Sequence, residues 1–165
     1  MKSLTLLALL PVLVATQAHG QPVKVKGGGK VGTILGETRF VAQDNPQHVI
    51  TLARRSEPNH GSSPDCATMQ VDVIAYSDTI AGTGMNRGHR TSTCPNGDKQ
   101  FATYQGTTTA VPKQGGPPEV TLEGTWQYTG GTGKYAGIRG NGTYKGRLTP
   151  EGVVYEWEGE QILKQ

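Results

Sequence analysis

Four aromatic side chains in the C-terminal third of the chain recur at a spacing of two residues. Trp126 and Tyr128 form one pair, and Tyr155 and Trp157 form the other. Because successive side chains of a β-strand point to opposite faces, each pair occupies one face of its strand. Aromatic rings on a common face offer a large apolar area to a hydrophobic guest, although the same rings also fill ordinary cores. Trp126, Tyr128, Tyr155 and Trp157 are therefore the candidate ligand-binding residues.

Charged side chains near these rings are predicted to face solvent. Alternation places Glu123, Glu156, Glu158 and Glu160 on the faces opposite the rings. If the polar faces of the strands pointed inward instead, Glu123 or Glu156 would be a candidate general acid or base. Arg139 lies between two glycines, where it either meets an anionic ligand at a rim or is simply exposed. No catalytic residue is assigned on this basis, and whether the protein is an enzyme stays open.

The histidines give no sign of a metal site. His48, His60 and His89 are far apart in the sequence and form no H-x-H or H-E-x-x-H pattern. No C-x-x-C pair is present either. We therefore predict no metal and no cofactor.

Cys66 and Cys94 are the only two cysteines of the chain. In an antiparallel hairpin the numbers of facing residues have a constant sum, and the midpoint of this pair falls in the turn-rich stretch 77–82. The two sulfurs are thus expected to meet across one hairpin and to form a disulfide bond, worth about 3–4 kcal/mol in the chain-entropy model. The alternative is two unpaired buried thiols.

Seven glycines lie between Gly130 and Gly146. A dinucleotide-binding fingerprint needs a helix after its glycines, and this glycine density disfavours a helix. A phosphate-binding G-x-x-x-x-G-K-[ST] loop fails because Tyr135 follows Lys134. The glycines instead predict sharp bends and close strand packing. The members of this structural glycine motif are Gly130, Gly131, Gly133, Gly137, Gly140 and Gly142.

The elements that position these residues are short strands separated by Gly, Pro, Asn and Asp. No segment sustains the helical period. Eight strands are predicted, with the clearest at 120–128 and others near 33–42, 48–53, 69–76, 87–94, 99–109, 142–148 and 153–158. This spacing is typical of an all-β sandwich or barrel. Residues 21–30 combine lysines with three consecutive glycines and are interpreted as a flexible N-terminal arm.

Composition and the N-terminal segment indicate the class of protein and its compartment. The chain has 165 residues, 34% of them hydrophobic, and a formal net charge of +3, which is too weak and scattered to indicate nucleic-acid binding. Residues 1–20 resemble a signal peptide, with cleavage before Gln21 or, alternatively, after Ala18. Its apolar run is too short to cross a membrane, and no later segment is apolar enough. We expect a secreted or periplasmic protein with one domain over residues 31–165 and no integral membrane segment.

Three segments of the chain resemble a known sequence signature. They are GTGKYAGIRGNGTY, the strand TLEGTWQYTG before it, and GDKQF further upstream. They are similar to the signature of the allene oxide cyclase and dirigent barrel superfamily, and most similar to its small exported bacterial members. The resemblance covers roughly residues 91–159. It implies an eight-stranded antiparallel, calycin-like barrel with an internal cavity. In the plant members that cavity holds an apolar substrate and guides cyclisation or coupling, but their catalytic residues have no match here.

Three functions follow as hypotheses. The first is an exported barrel that binds a small apolar or amphipathic molecule in its cavity. The second is a cyclase or isomerase that uses the shape of the cavity to fold a reactive substrate. The third is a structural or interaction domain of the cell envelope. The sequence does not specify the ligand or the oligomeric state.

Overall fold

The computed structural model describes residues 20–164; the predicted signal peptide lies almost wholly outside this range. The described chain forms nine β-strands and two single-turn 3₁₀ helices. The strands are β1 (Val23–Lys30), β2 (Thr33–Val41), β3 (His48–Gly61), β4 (Thr68–Ile80), β5 (Thr83–Thr93), β6 (Lys99–Lys113), β7 (Gly116–Gly131), β8 (Asn141–Thr149) and β9 (Gly152–Gln161). The 3₁₀ helices are η1 (Pro64–Cys66) and η2 (Gly133–Tyr135).

Strand pairing closes the sheet into a barrel. From β3 to β9 each strand pairs antiparallel with the next, and β1 pairs with both β9 and the end of β3. Eight strands therefore form the closed barrel, and β2 is an additional strand held only by β3. The predicted all-β fold with an eight-stranded antiparallel barrel is confirmed. In the described range no helix is long and apolar enough to cross a membrane.

The long strand β3 pairs with both N-terminal strands, β1 and β2. Its residues 49–56 pair with β2, and its residues 59–61 pair with β1. Pro58 falls in the gap between these two pairings. A proline is tolerated there because it does not have to donate a ladder hydrogen bond to either strand. The predicted strand 48–53 is too short because the residues that continue it, 54–57, are all polar and are followed by Pro58.

The N-terminal residues differ from the expected flexible arm over 21–30. Val23–Lys30 form β1, which pairs with β9 along its whole length. The glycines make this pairing possible, because bulky rings of β9 lie directly over them. A Cβ atom on Gly27 would approach Cζ2 of Trp157 to 2.5 Å and would also collide with the backbone of His60. The run of glycines is thus a packing surface for aromatic rings.

One end of the barrel is closed by a packed core, which we call the closed end. It contains the disulfide bond predicted between Cys66 and Cys94, with a Cα–Cα distance of 4.9 Å. The β4–β5 hairpin turns at Ala81 and Gly82, slightly later than the cysteine numbers indicate. The cysteines consequently lie beyond the paired residues, and η1 folds Cys66 back toward Cys94. The core consists of Cys66, Met69, Val71, Val73, Cys94, Tyr135 and Ile138.

Candidate ligand-binding cavity

The barrel encloses a cavity of about 420 Å³. Inward-facing residues of β3 to β9 line it, and residues of β2 lie at its mouth, opposite the closed end. The volume lies within the range of roughly 300–1,000 Å³ found for small-molecule sites. The interior is therefore not filled by the protein's own side chains.

The four aromatic residues singled out in the sequence all line this cavity. Trp126 and Tyr128 enter from β7, and Tyr155 and Trp157 enter from β9. The Trp126 ring packs edge-to-face against Tyr128 and Trp157, with centroid distances of 5.0 and 5.8 Å. Edge-to-face contacts hold the rings in fixed orientations. Together these residues form one face of the cavity, which we call the aromatic wall.

Glycines one or two strands away provide the space for these rings. A Cβ atom on Gly142 or Gly159 would lie 2.7 Å from Cζ2 of Trp126. The same relation holds for Gly88 beneath Tyr104, and for Gly106 and Gly124 beneath Tyr144. Pairing a glycine with an aromatic ring on the adjacent strand protects the glycine backbone and fixes the register.

The rest of the structural glycine motif lies outside the cavity lining. Gly130 and Gly131 end β7, and Gly133 begins η2. Gly137 has φ = 74°, a conformation that suits glycine and allows the chain to turn toward β8. Gly140 directly precedes β8, and Gly142 lies within it. These glycines shape the scaffold, and none of them lines the cavity.

Next to the aromatic wall lies a buried polar cluster that the sequence did not reveal. Glu57 is only 3% exposed, and its Oε1 accepts a hydrogen bond from the Tyr155 hydroxyl. Asn59 donates to the same hydroxyl at 2.6 Å, and its own Oδ1 accepts from Nε1 of Trp157 at 3.3 Å. Burial holds the pKa of Tyr155 well above its ordinary value; the charge of Arg90 offsets part of this shift and Glu57 adds to it.

Two arginines complete this polar region. Arg55 of β3 and Arg90 of β5 both line the cavity. Burial raises the pKa of Tyr104, and the charge of the nearby Arg55 offsets part of that shift. The Arg90 guanidinium lies 5.9 Å from the ring centroid of Trp157. We call Arg55, Glu57, Asn59, Arg90 and Tyr155 the polar cluster; only Tyr155 of these is among the predicted site residues.

A second hydrogen-bonded link crosses the cavity wall nearer the mouth. The Tyr144 hydroxyl donates to Oδ1 of Asn86 at 2.5 Å, and Asn86 donates to Oγ1 of Thr108 at 3.1 Å. Burial raises the pKa of Tyr144, the Tyr104 side chain adds to the shift and Asn86 partly opposes it. Burial also raises the pKa of Tyr128 to about 12. All of these tyrosines are therefore neutral hydrogen-bond donors near neutral pH.

The other charged candidates lie away from the cavity lining. Glu123, Glu156 and Glu158 are exposed, and Glu160 is half-buried beside Lys24. Arg139 is also exposed and forms a backbone bridge to Ile162.

The three histidines described here do not come together. His48 bonds to two aspartates near the mouth, Asp44 and Asp78. His60 and His89 lie on β3 and β5. Over residues 20–164 no group of three or more metal-ligating side chains is placed to hold an ion.

Comparison with solved structures relates this architecture to one known fold. The chain is similar to the pterocarpan synthase dirigent protein GePTS1, with a TM-score of 0.54 and 14% sequence identity. The likeness covers 97% of this chain and 100% of that one. The sequence matches no protein-family model and no curated protein. At this level of identity the likeness establishes a dirigent-like β-barrel fold and nothing about activity.

Proposed function

We propose that this protein is an exported barrel that binds one small amphipathic molecule in its cavity. The observation that carries the proposal is the unfilled cavity of about 420 Å³, in which an aromatic wall lies next to a buried polar cluster. A guest that buries roughly 200 Å² of apolar surface there gains about 5 kcal/mol from the hydrophobic effect, before the costs of association. The polar cluster supplies the directional contacts that select and orient the guest.

Export is part of this proposal. Its support is the signal-like segment 1–20 and the Cys66–Cys94 disulfide, since disulfide bonds persist mainly in oxidising compartments. The resemblance to small bacterial members and to allene oxide cyclases stays a prediction.

The protein's own tryptophans offer a direct test. The chain contains 2 tryptophans, Trp126 and Trp157, and both line the cavity. Titration with the neutral fluorophore N-phenyl-1-naphthylamine is expected to quench tryptophan emission and to enhance probe emission, with saturation at one probe per barrel. Native mass spectrometry of protein purified from its source, followed by mild denaturation, would identify the natural guest.

A matched pair of variants locates the binding. Ala75 lines the cavity, whereas its neighbour Ile74 lies on the outer face and is 54% exposed. Ala75→Phe fills part of the cavity and is expected to weaken probe binding at least tenfold, while Ile74→Phe leaves it unchanged. Equal effects of the two substitutions, or no saturable binding at all, would count against a cavity binder and favour a protein that acts through its surface.

A second candidate function is a cyclase or isomerase. The observation that favours it is the Glu57 carboxyl group, buried beside the cavity and bonded to the Tyr155 hydroxyl. A carboxyl group in such a position can hold or transfer a proton while the walls fix the shape of the substrate. The test is conversion of the identified guest, followed by chiral chromatography. Glu57→Gln is expected to abolish turnover and to preserve binding if this function is correct.

A further inference from the structure

In the polar cluster several buried polar atoms lack hydrogen-bond partners in the described chain, and the formal charges do not cancel. Arg55 and Arg90 both face Val73, one from each side, so the two arginines extend from a single row across β3, β4 and β5. Adjacent strands lie about 4.8 Å apart, which places the two Cα atoms roughly 10 Å from each other. Both side chains line the cavity, so their guanidinium groups flank one region of it.

Part of each guanidinium group lacks an acceptor within the described chain. Nε of Arg55 and both Nε and Nη2 of Arg90 are inaccessible to solvent and have no hydrogen-bond partner among residues 20–164. Oε2 of Glu57 is likewise buried and unpartnered within this range. None of the ion pairs in the described part of the chain involves Arg55, Glu57 or Arg90. An unsatisfied buried donor destabilises a protein, so these donors point to an acceptor that the guest supplies.

The formal charges of the cluster indicate which kind of ligand would bind to the unpartnered guanidinium donors. Two guanidinium groups and one carboxylate leave the cluster with a formal charge of +1 when all three are ionised, which favours a single negative charge on the guest. A guanidinium presents its donors in a planar fork that matches a carboxylate. A dianion such as a phosphate monoester would be repelled more strongly by Glu57. The lining beyond the cluster is mainly aromatic and aliphatic, which suits an apolar body.

We infer that Arg55 and Arg90 recognise a carboxylate, and that the molecule bound in the cavity is an amphipathic monocarboxylate. The inference rests on the proposed binding function and names the class of ligand. The carboxylate lies between the two guanidinium groups, and the apolar body lies against the aromatic wall. The ring of Trp157 supports the Arg90 guanidinium through a cation–π contact at 5.9 Å.

The test compares two guests that differ only in the head group. Sodium decanoate and 1-decanol are titrated into the unaltered protein near pH 7.5, where an ordinary carboxylic acid is ionised. Both are transparent where tryptophan emits, so Trp126 and Trp157 report binding directly. Decanoate is expected to bind about 10- to 100-fold more tightly than decanol, as a charge-assisted hydrogen-bonded pair predicts. Equal affinities would overturn the carboxylate site and leave the cavity binder intact; binding of neither guest would overturn both.

Variants assign the effect to the arginines. Arg90→Met and Arg55→Met are each expected to remove most of the preference for decanoate and to leave decanol affinity within about twofold. Arg54→Met is the matched control, because Arg54 is adjacent to Arg55 but exposed on the outer face. A loss of preference in the Arg54 variant equal to that of the cavity variants would contradict the assignment.

Stability separates a ligand-binding role from a structural one. Because Nε and Nη2 of Arg90 lack partners in the described chain, Arg90→Met is expected not to lower the unfolding midpoint of the guest-free protein. A marked decrease would show that Arg90 supports the fold, and would overturn its assignment as a residue kept for the guest. If that variant failed to fold, Arg90→Lys, which keeps the charge but not the planar fork, should still reduce the preference for decanoate.

Discussion

The closed end and the mouth of the barrel are built in opposite ways. At the closed end Cys66, Val71 and Tyr135 are fully buried, and a disulfide ties η1 to the end of β5. At the mouth every residue of β2 is exposed, and this strand pairs with β3 alone. Burial and cross-linking thus concentrate at the closed end. The mouth is left with few packing constraints, which makes it the entrance for the proposed guest.

Removing the disulfide should give the largest loss of stability. The bridge joins residues separated by 28 positions, for which chain entropy predicts about 3–4 kcal/mol. The double variant Cys66→Ser with Cys94→Ser is therefore expected to lower the free energy of unfolding by that amount in urea titrations. Because both residues lie outside the cavity lining, binding of N-phenyl-1-naphthylamine in the absence of urea should persist. A loss below about 1 kcal/mol would mean that the closed end does not dominate stability.

A pair of glycine substitutions compares a tightly packed position in the barrel wall with an open position at the mouth. At Gly27, a Cβ atom would collide with Trp157 and with the His60 backbone; at Gly36 of β2, nothing lies within 4 Å. Gly27→Ala is expected to destabilise the protein by about 1–3 kcal/mol or more. Gly36→Ala should be neutral, or stabilising by up to about 1 kcal/mol through the unfolded chain. Thermal unfolding of both variants measures the contrast, and similar destabilisation of the two would refute it.

The hydroxyl groups of Tyr144 and Tyr135 compare a hydrogen-bonded buried tyrosine with one that has no partner in the described chain. The Tyr144 hydroxyl donates to Asn86, which is 8% exposed, whereas the fully buried Tyr135 hydroxyl has no partner among residues 20–164. Tyr144→Phe leaves a buried acceptor short of a donor and should destabilise by about 1–2 kcal/mol. Tyr135→Phe removes a hydroxyl without a described partner, so its effect should be within about 0.5 kcal/mol, or stabilising. Urea denaturation of the two variants provides the measurement; a larger loss at Tyr135 would reverse the assignment.

The sequence predicts strands well where one face is apolar and the other polar. In β7 and β9, Trp126 and Tyr155 alternate with polar residues, so both the strands and their aromatic faces can be read directly. In β1 the alternation covers only Val23 to Lys26 and stops at the glycines 27–29. The apolar surface there belongs to β9, and only the pairing of Gly27 with Trp157 reveals it.

The polar cluster was not predictable for a related reason. Arg54 and Arg55 are adjacent residues of the same type, so polarity alone cannot tell which of them faces inward. The register against β4 decides it: Arg55 pairs with the buried Val73, and Arg54 pairs with the exposed Ile74. The inward position of Arg90 follows from the same row. A pairing register between distant strands is tertiary information, which alternation within one strand does not contain.

The smallest predicted effect lies at the mouth and depends on pH. Nε2 of His48 contacts Asp78 at 2.7 Å, and Nδ1 contacts Asp44 at 2.8 Å, which links the β2–β3 turn to the end of β4. These hydrogen bonds, first to Asp78 and then to Asp44, raise the pKa of His48. Asp78 also accepts a hydrogen bond from Tyr76, whose ring faces Arg87.

A raised pKa in the folded state fixes the sign of this effect. The stabilisation is fully present below the unfolded pKa of about 6.5 and is lost as the pH rises through the higher folded value. The advantage of the unaltered protein over His48→Gln should therefore be larger near pH 6 than near pH 9, as measured by urea denaturation at each pH. An advantage independent of pH would show that His48 contributes by packing alone. Because this contact joins one turn to the ends of two strands at the mouth, its loss should leave the disulfide-linked core and its unfolding cooperativity unchanged.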